Sequence, residues 1–192
     1  GFNWCITATA RKPVETLVIN EVDYDQAGSD FNEFVELYNP TATPVDLAHL
    51  AVVLMNGTGG TEYGRIDLTP GGSVAPGQYL VIASTTVQVA AGAITIPFGV
   101  ASNNLQNGAP DGVALVNVQT SRVIDLLSYE GSIPLGDIVG IGPTNFVEGV
   151  ATAAVDAAAG SLSRLPNGHD SNNALKDWAL SATSTPGAPN VP

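Results

Sequence analysis

Glu21 and Glu36 are the first residues whose placement could do chemistry. They flank residues 25–30, a run of Asp, Gln, Ala, Gly and Ser, and a turn centred near Gly28 and Ser29 would set them opposite each other across a hairpin. Carboxylates directly opposite repel unless a proton, a cation or backbone donors come between them. An acid/base pair is one outcome. Structural carboxylates hydrogen-bonded to loop backbone are the other, and the favoured one, because structural networks perturb acids as well.

The same stretch is rich in oxygen ligands. Asp23-x-Asp25-x-Ala27-Gly28 opens like a calcium loop, with Asp30 and Glu33 close by. Ala27 stands where an EF-hand needs an oxygen, and Phe34 where it needs a bidentate glutamate. What is left is a looser, weak calcium site at Asp23, Asp25, Asp30 and Glu33, set against turn acids that simply face water. His169-Asp170 with Asn172, Asn173 and Asp177 is a second oxygen-rich cluster, read as Asx turns and the cap of a short helical turn.

Nucleophilic catalysis finds little support. His49 lies among apolar residues and His169 in a polar stretch, and Gly71-Gly72-Ser73-Val74-Ala75 misses the Gly-x-Ser-x-Gly elbow at its last residue. Neither lysine follows a glycine-rich loop, and Gly57-Thr58-Gly59 lacks the third dinucleotide glycine. Cys5 is the single cysteine, so the chain has no internal disulfide and no Cys/His cluster for zinc; packing or a bridge between chains are its two uses. The sequence predicts no enzyme, and no cofactor beyond that loose calcium site.

These residues must be positioned by strands. Residues 17–22 and 33–39 are rich in Val, Ile, Leu, Phe and Tyr, and in the second run Val35 and Leu37 share one face while Phe34, Glu36 and Tyr38 share the other. Residues 51–55 are a short continuous apolar run, a strand buried on both faces or an equally short helix. Residues 78–84 read as a strong strand and 94–98 as a short one, and residues 112–118 and 122–129 pair as a second hairpin across Gln119-Thr120-Ser121. Residues 131–160 are Gly/Ala-rich with weak periodicity; residues 151–159 have room for a helical turn or two. Asn56-Gly57-Thr58 spells an N-glycosylation acceptor, relevant where the source glycosylates exported proteins.

Residues 1–10 alternate. Phe2, Trp4, Ile6, Ala8 and Ala10 point one way and Asn3, Cys5, Thr7 and Thr9 the other, and Arg11-Lys12-Pro13 breaks this strand from the hairpin. Such a strand either folds back on its own sandwich or is donated to a neighbouring subunit by β-augmentation. Only 12% of residues are charged, with six basic against eighteen acidic, for a net charge of −12. Phosphate neutralisation needs Lys and Arg that are scarce here, so nucleic acid is excluded as a partner. A surface so poor in charge also resists self-association weakly. No stretch approaches the ~18 apolar residues of a membrane span. The chain opens on Gly1, as a processed export product or a trimmed chain would.

Several segments resemble the lamin tail domain family in its bacterial and archaeal branch. They are Asn20-Glu21, the run Glu33-Phe34-Val35-Glu36-Leu37-Tyr38-Asn39-Pro40, and Val45-Asp46-Leu47. Val74-Ala75-Pro76-Gly77-Gln78-Tyr79-Leu80-Val81 looks like that family's entry to a mid-domain strand, and Asp111-Gly112-Val113-Ala114-Leu115 resembles its later hairpin. Residues 161–190 are similar to the tail that follows such domains in exported prokaryotic proteins. The resemblance implies an immunoglobulin-like, non-catalytic β-sandwich, carried on exported proteins and often beside nucleases or other hydrolases. Residues 1–12 and 131–160 lie outside it.

The expectation is therefore all-β: an immunoglobulin-like β-sandwich over residues 13–130, an extra N-terminal strand over residues 1–12, and a loop-rich C-terminal extension over residues 131–192 packed on the sandwich. Its expected role is a non-catalytic extracellular or cell-surface structural protein, a homo-oligomer or filament assembled through Phe2, Trp4, Ile6 and Ala8. The alternative is an accessory targeting or adhesion module of a secreted nuclease or hydrolase.

Overall fold

The computed structural model describes residues 16–156 and 159–192. The expected strand with Phe2, Trp4, Ile6 and Ala8, and Cys5 with it, lies outside the described residues.

β1 (Val18–Asp23) and β2 (Phe34–Tyr38) form the leading hairpin, followed by β3 (Val45–Asp46), β4 (Leu50–Asn56), β5 (Thr61–Asp67), β6 (Ser73–Val74) and β7 (Tyr79–Ala83). β8 (Ile94–Pro97), β9 (Asp111–Asn117), β10 (Arg122–Tyr129), β11 (Gly136–Ile138), β12 (Gly142–Thr144), β13 (Ser161–Arg164) and β14 (Trp178–Ser181) follow, with one helical turn, α1 (Ala174–Asp177), just before β14. One sheet runs β14-β13-β1-β2-β7-β8 and the other β10-β9-β4-β5-β11-β12, while β3 and β6 pair separately.

Alternation sets what each sheet buries. Val35 and Leu37 join Ile19, Val22, Val52, Leu54, Val113 and Leu115 in the core between the sheets. Each such side chain contributes at most about 1.5–3 kcal/mol. The apolar run at 51–55 is a strand buried on both faces: Val52 and Leu54 take the inner core, while Ala51, Val53 and Met55 pack with Ile133, Ile138 and Phe146 in a second cluster.

Ile133, Ile138 and Phe146 come from the stretch expected to be loop-rich. Residues 131–192 in fact supply four of the twelve strands of the two main sheets, β11 and β12 at one edge and β13 and β14 at another. These strands are only three or four residues long and carry Gly or Ser, so they leave little periodicity to read. Residues 151–156 hold no helical turn. The Asp156 carboxylate instead accepts from the backbone amides of Tyr24 and Asp25.

In the leading hairpin Glu21 pairs with Glu36 and Val22 with Val35, and the register shifts between Ile19 and Glu21. Asn20 is the extra residue of that bulge. The irregularity lets Asn20 and Glu21 both engage the chain that covers the sheet's outer face.

Candidate functional site

Glu21 and Glu36 are fully buried side by side, and their lone pairs are spoken for. Glu36 Oε1 accepts from Asn20 Nδ2 at 2.7 Å and Oε2 from the Gly187 amide at 2.6 Å. Glu21 Oε1 accepts from Ser161 Oγ at 2.5 Å and the Thr185 amide at 2.8 Å, and Oε2 from Thr185 Oγ1 at 3.0 Å. Asn190 Nδ2 donates to the carbonyls of Asn20 and Arg164 at 2.8 and 3.0 Å. The Gly168 amide donates to Asn20 Oδ1 at 2.8 Å. Gly168 sits at φ +66, and a Cβ there would fall 2.5 Å from the Tyr38 ring, so only glycine brings this amide so close.

The pair thus fastens β13 and the C-terminal tail across the hairpin. A general acid or base must reach a substrate proton; with no exposed surface and every oxygen engaged, this pair reaches only the chain's own side chains and backbone amides. Burial pushes Glu36 up to about 8 and raises Glu21 as well.

The four acids weighed for calcium form no single metal-holding cluster. Asp23 accepts from Gln26 Nε2 and Asp30 Oδ1 from the Gln26 amide, while Asp25 is half-buried at the start of the turn. Glu33 turns inward beneath the loop before β9. Its Oε2 accepts from the Asn104 amide at 2.7 Å and Asn104 Nδ2 at 3.1 Å, and its Oε1 from the Leu105 amide at 2.8 Å. Among the described residues no three His, Cys, Asp or Glu converge in a way that could hold a metal.

The second oxygen-rich cluster is organised by a cation. Arg164 is fully buried, with Nη2 2.9 and 3.0 Å from the two oxygens of Asp125 and Nε 2.6 Å from the Ile19 carbonyl. Glu148, Asp170 and Asp177 lie within 3.6 Å of it. Burial alone would lower the guanidinium's pKa, but Asp125 and these three acids raise it. Asp170 Oδ1 accepts from the Asn172 amide, an Asx-type closure, and Asp177 Oδ2 from the Ser171 amide six residues upstream, while Asn173 ahead of α1 makes no side-chain cap hydrogen bond. Ser171 Oγ donates to Asp177 Oδ1 at 2.7 Å, and His169 Nε2 lies 3.6 Å from the same oxygen. Serine and histidine therefore both address the Asp177 carboxylate. His49 is an exposed turn residue at φ +68. Sequence reading missed Arg164, Asp125 and Asn190, whose partners are distant in the chain.

This surplus of buried acid fixes a pH dependence. Burial, with Asp156 beside it, pushes Asp23 up to about 8, and burial with Asp125 does the same for Glu148. With Glu36 these groups hold protons in the folded state that the unfolded chain releases near pH 4.5. Folding therefore takes up protons across that window, so its stability is full below about pH 4 and falls as pH rises toward 8. Melting scans should give a Tm roughly 5–10 °C lower at pH 8.5 than at pH 5. A Tm that rises over that range would contradict the assignment.

Comparison with protein-family models matches residues 10–131 to the family described as Lamin Tail Domain. A search of curated proteins finds no match.

Proposed function

The chain belongs to the lamin tail domain family, an immunoglobulin-like module, and from that premise we propose that it is an exported, non-catalytic structural protein that assembles with copies of itself through its N-terminal segment. The observation that carries this reading is an open strand edge beside the point where that segment leaves. β10 is the last strand of its sheet, with β9 as its sheet partner on one side only. β1 approaches its other side at Asp125, whose Oδ2 accepts from the Ile19 amide, and residues 122–124 lie beyond that contact. There Arg122, Val123 and Ile124 face Thr16, Leu17 and Val18 across a groove of about 550 Å³.

A strand from a neighbouring copy laid along this edge would pair backbone donors and acceptors that otherwise face water. Phe2, Trp4 and Ile6 on one face would supply apolar area, roughly 1.5–3 kcal/mol for each side chain buried. Export agrees with a surface that relies on Thr, Ser and Asn and has two lysines in all.

Molecular mass in solution, measured with and without residues 1–12, tests the reading. The full chain should form oligomers or filaments visible by electron microscopy, and the shortened chain should be a folded monomer. Equal masses would refute self-assembly and favour a targeting module.

A further inference from the structure

A second site lies where the acid-rich turn, the end of β4 and the loop before β9 meet. They enclose a pocket of about 310 Å³ whose wall includes Asp30, Asn56, Asn103, Gln106, Asn107 and Asp111. No Lys, Arg, His or aromatic ring lines it. Asp111 is only 2% exposed, and its Oδ2 is buried without a hydrogen-bond partner. That oxygen lies under Gly108, itself part of the wall: a Cβ on Gly108 would sit 3.8 Å from it. Asp30 Oδ1 is used by the Gln26 amide, but Oδ2 has only Asn107 Nδ2 at 3.4 Å. Two acids with spare oxygens thus share a pocket without a countercharge.

The loop that closes the pocket is held from behind. Glu33 accepts the Asn104 and Leu105 amides, Tyr63 Oη accepts the Gln106 amide at 2.9 Å, and Tyr129 Oη donates to the Gln106 carbonyl at 2.9 Å. A wall of carboxylates and uncharged polar groups with no cationic side chain suits a hard cation, and calcium, which accepts mixed carboxylate, carbonyl and water oxygens, better than magnesium, which keeps its waters.

We propose that this pocket binds calcium, with Asp111 and Asp30 supplying the charge and neighbouring amide and backbone oxygens the remaining ligands. Of the four loop acids weighed from the sequence, only Asp30 takes part.

The test is calorimetric titration of chelator-treated full-length protein with calcium chloride, and with magnesium chloride as the control. One calcium should bind per chain, at least about tenfold more tightly than magnesium. Tm should rise by roughly 5–10 °C with calcium at about a hundred times Kd. Asp111→Asn should weaken binding about tenfold or more, and Asp25→Asn, an acid outside the pocket wall, should leave it unchanged. Terbium luminescence, sensitised by nearby Tyr63 and quenched by added calcium, reads the site in the unmodified chain if Asp111→Asn fails to fold. No binding heat together with no terbium signal, or calcium bound equally well by a folded Asp111→Asn, overturns the proposal.

Discussion

Replacing Arg164 with methionine should lower folding stability by about 3–5 kcal/mol at pH 7.5, the cost of leaving buried acids without their cation. The guanidinium holds both Asp125 oxygens and the Ile19 carbonyl, and lies 4.9 Å from the centre of the Trp178 ring. Methionine keeps most of the apolar stem, so what is removed is chiefly charge, hydrogen bonding and the guanidinium's contact with the Trp178 ring. Asp125 would retain the amides of Ile19 and Leu126 but no cation in direct contact. Its pKa, already raised by burial against the pull of Arg164, would rise further.

The sign of the pH effect follows. An acid that has lost its cation is tolerated once protonated, so the penalty should shrink as pH falls toward 5. Urea unfolding of both proteins at the two pH values decides the point. A penalty that stays constant would assign the loss to packing. Combining Arg164→Met with Asp125→Asn should cost less than the two separate losses added together, because the second change removes the stranded charge.

How much of this was legible depends on the distance over which each residue acts. The leading hairpin was readable to the level of pairing: β-branched runs around a short turn set Glu21 opposite Glu36, and alternation put Val35 and Leu37 on one face, which the structure makes the inner one. Favouring structural carboxylates over an acid/base pair rested on prior expectation alone. Apart from Asn20, the donors that occupy them, Ser161, Thr185 and Gly187, lie more than a hundred residues away, and no local pattern announces them. Arg164 was invisible for the same reason: Ser161-Leu162-Ser163-Arg164 looks like an exposed segment until its four acidic neighbours are assembled around it. The family match stops at residue 131, yet β11 to β14 lie beyond it and complete both sheets. Their apolar residues were visible in the sequence, but strands of three or four residues give alternation too few positions to register. The cation pocket was half-seen. Asp30 drew attention as part of an acidic turn, whereas Asp111 sat in a stretch read only as resembling the family's later hairpin.

Glu33→Gln should cost roughly 2–4 kcal/mol, although the side chain keeps its size. The carboxylate accepts three N–H groups on two oxygens, from the Asn104 amide and side chain and from the Leu105 amide. Glutamine offers one acceptor oxygen, and its NH2 would point at whichever backbone amide the oxygen does not serve. That amide would stay buried, facing a donor, and the loop before β9 would have to open to satisfy it. Hydrogen exchange is the discriminating measurement: the amides of Asn104 and Leu105 should exchange much faster, while those of β2 and β7 keep their protection. Had Glu33 been an exposed calcium ligand, the same substitution would leave the metal-free protein as stable as before. A drop in Tm in chelator-treated protein is therefore the result expected here, and an unchanged Tm would return Glu33 to the role the sequence alone suggested.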